Sequence, residues 1–352
     1  MYGASTEAGP EVMNKYRKLP WNQKKVQHLL DLARVDKIGH AYLFHGQRGI
    51  GKLDALMEFA GRLFCQQAQE GESCGQCQGC RLFAAGSHPD FRMLRLEEEA
   101  RQIKIEQVRE SQSFIANTPM MGRHKLLLIE PAEQLNINAA NALLKNLEEP
   151  AAGTLFFLVS HQPGSLLATI RSRCQQIKFP RPEKQQSLEF LQQTLSAEQA
   201  EAALEMTNGA PLAALKFASE EGMQEISAVH ESLLSLLQGE MNITDAASDW
   251  MAMDENLLLE TLLTATEILL KGLLRDKTSS ATNRHWQSLQ ELQSLLEAKH
   301  VRSLHFFYQD LLNTRAMLRS RANPNKQLLL EALCLEWVRP FRDNTERWKR
   351  IA

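Results

Sequence analysis

From residue 40 to about residue 180, short apolar runs alternate with stretches in which apolar residues recur every three or four positions. "AYLFHG" reads as a buried strand, followed by a glycine loop and a helical stretch from Lys52 to about Phe64. "DFRMLRL" reads as another strand and "IKIEQVRESQSFI" as one helix. "HKLLLIE" and "TLFFLVS" are strong strands, and between them "NAANALLKNLEE" is a helix stopped by Pro150. Strands alternating with helices predict a parallel sheet covered on both faces, an α/β domain. The segment "GESCGQCQGC" breaks this order and reads as an insertion.

Pro180 and Pro182 punctuate the end of "CQQIKF", and the pattern beyond them is helical throughout. Residues 183 to about 220 form a short helical block with a turn at Asn208 to Pro211. From about residue 223 the periodicity predicts four or five amphipathic helices and no strand. Leu289, Leu292 and Leu296 share one face, as do Leu304, Phe307, Tyr308, Leu311 and Leu312. A bundle with its own core and a helical oligomerisation domain both fit that pattern.

Length and charge narrow the picture. At 352 residues the chain is expected to hold two or three domains, and 43% hydrophobic residues suffice for real cores. A net charge of −2 gives no global basic field, so any DNA contact is local or shared with other chains. The first fifteen residues are small and polar and read as a loose tail, without the apolar segment of a secretory signal. No apolar run reaches the ~18 residues of a membrane span. The expected location is the cytoplasm.

The candidate chemistry starts at "HGQRGIGKLDA". Gly46, Gly51 and Lys52 have the spacing of a phosphate loop, in which backbone N–H groups and a lysine meet the phosphates and a hydroxyl ligates Mg²⁺. Leu53 stands where that hydroxyl belongs. An active nucleotidase of this kind ends a later strand with an Asp for the metal's water shell and a Glu for the attacking water; here the two positions read Glu130 and Pro131. The loop is therefore degenerate. Residual nucleotide binding through Lys52 stays open and Glu130 could still sit near a metal, but two of the parts that serve Mg²⁺ and water are missing or altered.

Cys65, Cys74, Cys77 and Cys80 follow the pattern C-x8-C-x2-C-x2-C. Four thiolates complete a tetrahedral Zn²⁺ and leave no vacancy, which predicts a structural site. The proline expected soon after an iron–sulfur motif is replaced by Arg81-Leu82, and a clustered set without a signal peptide disfavours disulfides. A zinc-ribbon nucleic-acid binder is the rival reading. It needs cations around the cysteines, whereas Glu70 and Glu72 flank them and Arg81 is the only cation nearby in sequence.

"GQRGIGK", "CGQCQGC", "SHPDF", "NAANALLKNLEEP", "FFLVSHQP" and "IRSRCQQIKF" occur in an order that resembles bacterial clamp-loader subunits of the AAA+ class, the zinc-containing delta prime and gamma/tau subunits of DNA polymerase III. The motifs cover roughly residues 20–220. The resemblance implies a RecA-like AAA+ domain over 20–179 with the zinc module at 65–80, preceded by a tail at 1–19. A helical lid over 180–222 and a helical collar over 223–352 complete the chain. It implies a place in a five-subunit loader that uses ATP to open a sliding clamp and close it around primed DNA. Leu53, Pro131 and Leu212, the last where hydrolysing subunits carry a sensor arginine, favour the non-hydrolysing delta prime type over the ATP-hydrolysing gamma/tau type. The resemblance also gives Ser172-Arg173-Cys174 a role: Arg173 reaches a neighbouring subunit's ATP site as an arginine finger. Arg171 is its competitor, because alternation along a strand would send both arginines to one face.

Overall fold

Strands β1 (Ala41–His45), β2 (Phe91–Leu94), β3 (Lys125–Ile129), β4 (Thr154–Ser160) and β5 (Gln175–Lys178) form one parallel sheet in the order β2-β3-β4-β1-β5. The computed structural model describes residues 16–68, 71–97, 100, 102–275, 287–318 and 324–339. The expected tail at 1–15 and Glu70 lie outside the described residues. Residues 17–19 are anchored: the Arg17 N–H donates to Asp54 (3.1 Å), Lys18 pairs with Glu72, and Leu19 is buried.

Every residue of β3 and β4 is buried, which explains their unbroken apolar runs. Alternation assigns the faces. Tyr42, Phe44, Leu126, Leu128 and Phe157 pack under α1 (Gln23–Arg34) and α2 (Lys52–Leu63). Leu43, Leu127, Ile129, Phe156 and Leu158 pack on the opposite face. That face is covered by α4 (Ile105–Glu110), α5 (Gln112–Ala116), α6 (Ile137–Glu148) and α7 (Ala168–Arg173). The short α3 (Gln78–Ala84) belongs to the cysteine insertion. Helix α1 carries no signal that the sequence reading used.

Two expectations need correction. The single helix expected over "IKIEQVRESQSFI" is two, α4 and α5. Buried Ser111 turns its hydroxyl back onto the Gln107 carbonyl (2.9 Å) and ends the first. "TIRSR" is helical, not the entry to a strand. Leu166, Ile170 and Cys174, spaced four apart, all bury against the same core.

The chain divides into two compact units, residues 1–215 and 216–352. In the first, α8 (Lys184–Leu191) and α9 (Ala197–Met206) follow the sheet, and α10 (Pro211–Phe217) begins beside the glycine loop, where the Leu212 N–H donates to the Gly49 carbonyl (2.9 Å). The second is helical. It contains α11 (Glu220–Gln238), α12 (Ile243–Ala252), α13 (Glu255–Arg275), α14 (Gln287–Leu295), α15 (Val301–Leu318) and α16 (Lys326–Val338), six α-helices among the described residues rather than four or five. Trp250 and Trp337 are buried in it, and the Trp337 indole donates to the Leu233 carbonyl (2.9 Å). Among the described residues no helix is long and apolar enough to cross a membrane.

Candidate functional site

Strand β1 lies inside the sheet, between β4 and β5, where the chain order reverses; ligands of such sheets sit at the carboxyl ends of the strands near that point. The glycine loop leaves β1 there. Gly51 has φ of +79°, and a Cβ on it would lie 1.9 Å from the Leu19 side chain, so only glycine fits. Asn22 donates to the Gly51 carbonyl (2.8 Å) and Trp21 to the Ile50 carbonyl (2.9 Å), bracing the loop from outside.

Lys52 does not reach outward. Its side chain is 3% exposed, and its ammonium donates to the carbonyls of Gly46 (2.8 Å) and Gln47 (2.7 Å) and lies 2.8 Å from Nδ1 of His161. Three hydrogens thus have three partners within the chain. The ammonium must donate to His161 Nδ1, so Nε2 carries the ring hydrogen, 3.4 Å from Glu130 Oε1. The His161 backbone N–H donates to Glu133 Oε1 (3.0 Å). Burial lowers the Lys52 pKa to about 8 against the pull of Glu133 and Glu130. Burial pushes the Glu130 carboxyl up, but the hydrogen bond from His161 and the charges of Arg95 and Arg48 hold it below its ordinary value. Leu53 packs against the core, and Leu212 offers the loop only its backbone N–H. The predicted residues Gly46, Gly51 and Lys52 therefore come together, but the lysine is occupied. His161 and Glu133 were missed by the sequence reading; His161 directly follows β4 at the carboxyl edge, and that position was the available signal.

Cys65, Cys74, Cys77 and Cys80 converge, with their sulfurs all within 4.8 Å of one another. A tetrahedral site with Zn–S of 2.3 Å needs sulfurs about 3.8 Å apart, and Cys74 and Cys80 stand at 4.0 Å. The N–H groups of Cys74, Cys77, Cys80 and Gln66 each point at a cysteine sulfur at 3.2–3.4 Å, as thiolate ligands require. Crowding splits the acidities. Burial pushes Cys77 up, but the N–H groups of Cys80 and Gln66 bring it down to about 6; burial raises Cys80 to about 12. A Cβ on Gly79 would lie 2.1 Å from the Phe64 carbonyl, so the second C-x2-C turn needs glycine there. The donor set fits a metal ion. The surroundings correct one expectation: Arg81 is not the only cation near the module, because the fold brings Lys18 and Arg62 onto Glu72.

Arg173 ends α7. Its Nε donates to Glu148 Oε1 (2.7 Å), its Nη2 pairs with the same carboxylate, and Nη1 donates to the Thr169 carbonyl (3.0 Å). Because the segment is helical, Arg171 and Arg173 point about 200° apart, not to one face. Arg171 has its Nε buried without a partner, whereas the Arg173 side chain is 34% exposed.

A parallel sheet of this order, with a glycine loop at the reversal point and a helical unit after it, defines an AAA+-type α/β fold. The family described as DNA polymerase III, delta subunit, matches residues 21–183. The chain is 36% identical over 324 residues to DNA polymerase III subunit delta' of Pseudomonas aeruginosa, covering 91% of this chain and 97% of that one. It is 32% identical to the delta' subunit of Escherichia coli over 90% of this chain and 94% of the other. To subunit tau of Bacillus subtilis it is 29% identical, over 78% of this chain and 46% of tau. The chain belongs to the DNA polymerase III subunit delta' family.

Proposed function

We propose that this delta' chain is the member of its clamp loader that hydrolyses no ATP itself and completes a neighbour's ATP site with Arg173. The observation that carries the reading is Lys52: all three ammonium hydrogens are engaged by Gly46, Gln47 and His161. With Leu53 in place of the metal-ligating hydroxyl and Pro131 in place of the water-orienting carboxylate, two parts of the hydrolytic machinery are missing. Its partners are gamma/tau and delta type subunits in a hetero-pentamer, and through them the sliding clamp and primer-template DNA. Residues 180–222 serve as lid and 223–352 as collar. The four cysteines hold one structural Zn²⁺, which neutralises crowded thiolates and fixes the insertion. Arg173 rests on Glu148 at the surface. Such a pair is worth about 0.2–1 kcal/mol, little enough for a neighbour's phosphates to take it over.

The test is DNA-stimulated ATPase of the reconstituted loader. Arg173→Ala should cut hydrolysis at the adjacent site by on the order of 10³-fold, with assembly intact, and Arg173→Lys should rescue it poorly. Arg171→Ala and Lys52→Ala should leave the rate within a factor of about two of the parent, the scatter of neutral changes. Full activity of Arg173→Ala removes the finger. Turnover near 1 s⁻¹ by the isolated chain would instead favour a gamma/tau-type ATPase.

A further inference from the structure

At the opposite end of the sheet from the glycine loop, a cavity of about 370 Å³ opens between the C-terminal ends of α1 and α2, the cysteine insertion (Cys65, Gln66, Ala68 and Gly71) and the segment leading into β3. Arg34, Arg62, Arg123, His88, His124 and Gln66 supply the polar side chains among its described lining residues, and no Asp or Glu is among those described residues. Not all of that charge is free. Arg62 pairs with Glu58 (2.7 Å) and Glu72 (2.5 Å), and Arg34 lies 3.6 Å from Asp31.

What remains is specific. Arg123 is exposed and makes no ion pair or side-chain hydrogen bond with any described residue. His124 is 8% exposed, and both its ring nitrogens are buried without a hydrogen-bond partner; the nearest acid, Asp36, is 3.9 Å away, beyond hydrogen-bond reach. A neutral imidazole always carries one N–H, and leaving it unpaired away from water is costly. His88 is also oriented. Its Nδ1 accepts the Asp90 N–H (3.1 Å), so its Nε2 carries the hydrogen. The buried Nε of Arg62 likewise lacks a partner.

These donors come from three separate parts of the chain. A planar carboxylate offers two oxygens in one plane, whereas a phosphate presents oxygens in several directions and up to two negative charges. The volume lies within the range of small-molecule sites and far exceeds a halide. We propose that this cavity binds a small phosphate-bearing anion, held by Arg123, His124 and His88 with support from Arg62 and Arg34. The site is separate from the degenerate phosphate loop and independent of ATP hydrolysis.

Isothermal titration of the full chain with inorganic phosphate, pyrophosphate and AMP tests it. Saturable binding of at least one probe is expected. A tighter fit for AMP points to a nucleotide as source, and a tighter fit for the inorganic probes to a free anion. Arg123→Glu alters an exposed residue, so folding should survive, as thermal melting will check, while binding weakens by about tenfold or more. His124→Gln should weaken it as well. Lys52→Ala and Arg92→Glu, a distant loop change and a surface charge control, should bind like the parent. Absence of binding by every probe up to about 10 mM overturns the proposal. So does loss of binding in Lys52→Ala with retention in Arg123→Glu, or equal weakening by Arg92→Glu.

Discussion

Lys52 holds a charge where water does not reach, and the chain bears that cost at neutral pH. Its pKa of about 8 lies below the ordinary 10.5, so between those values the unfolded chain binds a proton that the folded chain has released. Stability must then rise with pH through that window. At pH 9.5 the gain over pH 7.5 should approach about 2 kcal/mol in the parent. Lys52→Met should remove this contribution, flattening the slope measured by urea unfolding at the two pH values; an unchanged slope would place the titration elsewhere. Much of this site was legible from residue identity. The spacing of Gly46, Gly51 and Lys52 marked one loop, and the structure brings these residues together; Leu53 and Pro131 stood out as departures from a hydrolysing pattern. The partner His161 was not legible, because its role depends on β4 ending beside the loop, a relation of strand order that local pattern does not carry.

Among the elements, the cysteine insertion is open on one side: Cys65 and Cys74 are only half-buried, and a side chain at Gly75 would meet open space. With the proposed metal bound, its shape would come from that ion and from the backbone N–H groups around the sulfurs. Chelation should therefore make residues 65–80 protease-sensitive while the sheet keeps its far-ultraviolet signal. Gly79→Ala should cost about 1–3 kcal/mol and lower metal retention, since a methyl there meets the Phe64 carbonyl. Elemental analysis of the parent should give one equivalent of zinc, and less than about half an equivalent would count against a structural site. Cysteine spacing made this element readable without any fold. Helix α7 shows the reverse. Its two arginines drew attention to a strand, while the spacing of Leu166, Ile170 and Cys174 was the better guide.

At the scale of the whole molecule, the alternation of apolar runs and helices predicted the parallel sheet, because strands buried on both faces leave little room for polar residues. The cavity beyond β3 was hidden, since its cations lie far apart in sequence and meet only through the ends of α1 and α2. The strand order has a consequence during synthesis. β1 pairs with β4 and β5, and β4 begins about 110 residues downstream of it. At roughly 5–20 residues per second, a ribosome needs about 5–20 s to supply that partner. Through that interval "AYLF" is an apolar segment with no strand beside it, a natural target for a holding chaperone. Stalled nascent chains should be digested at β1 when they end near Pro150 and protected once residues through Phe179 have left the exit tunnel. Early protection at the shorter length would mean that α1 and α2 shelter the strand before its neighbours exist.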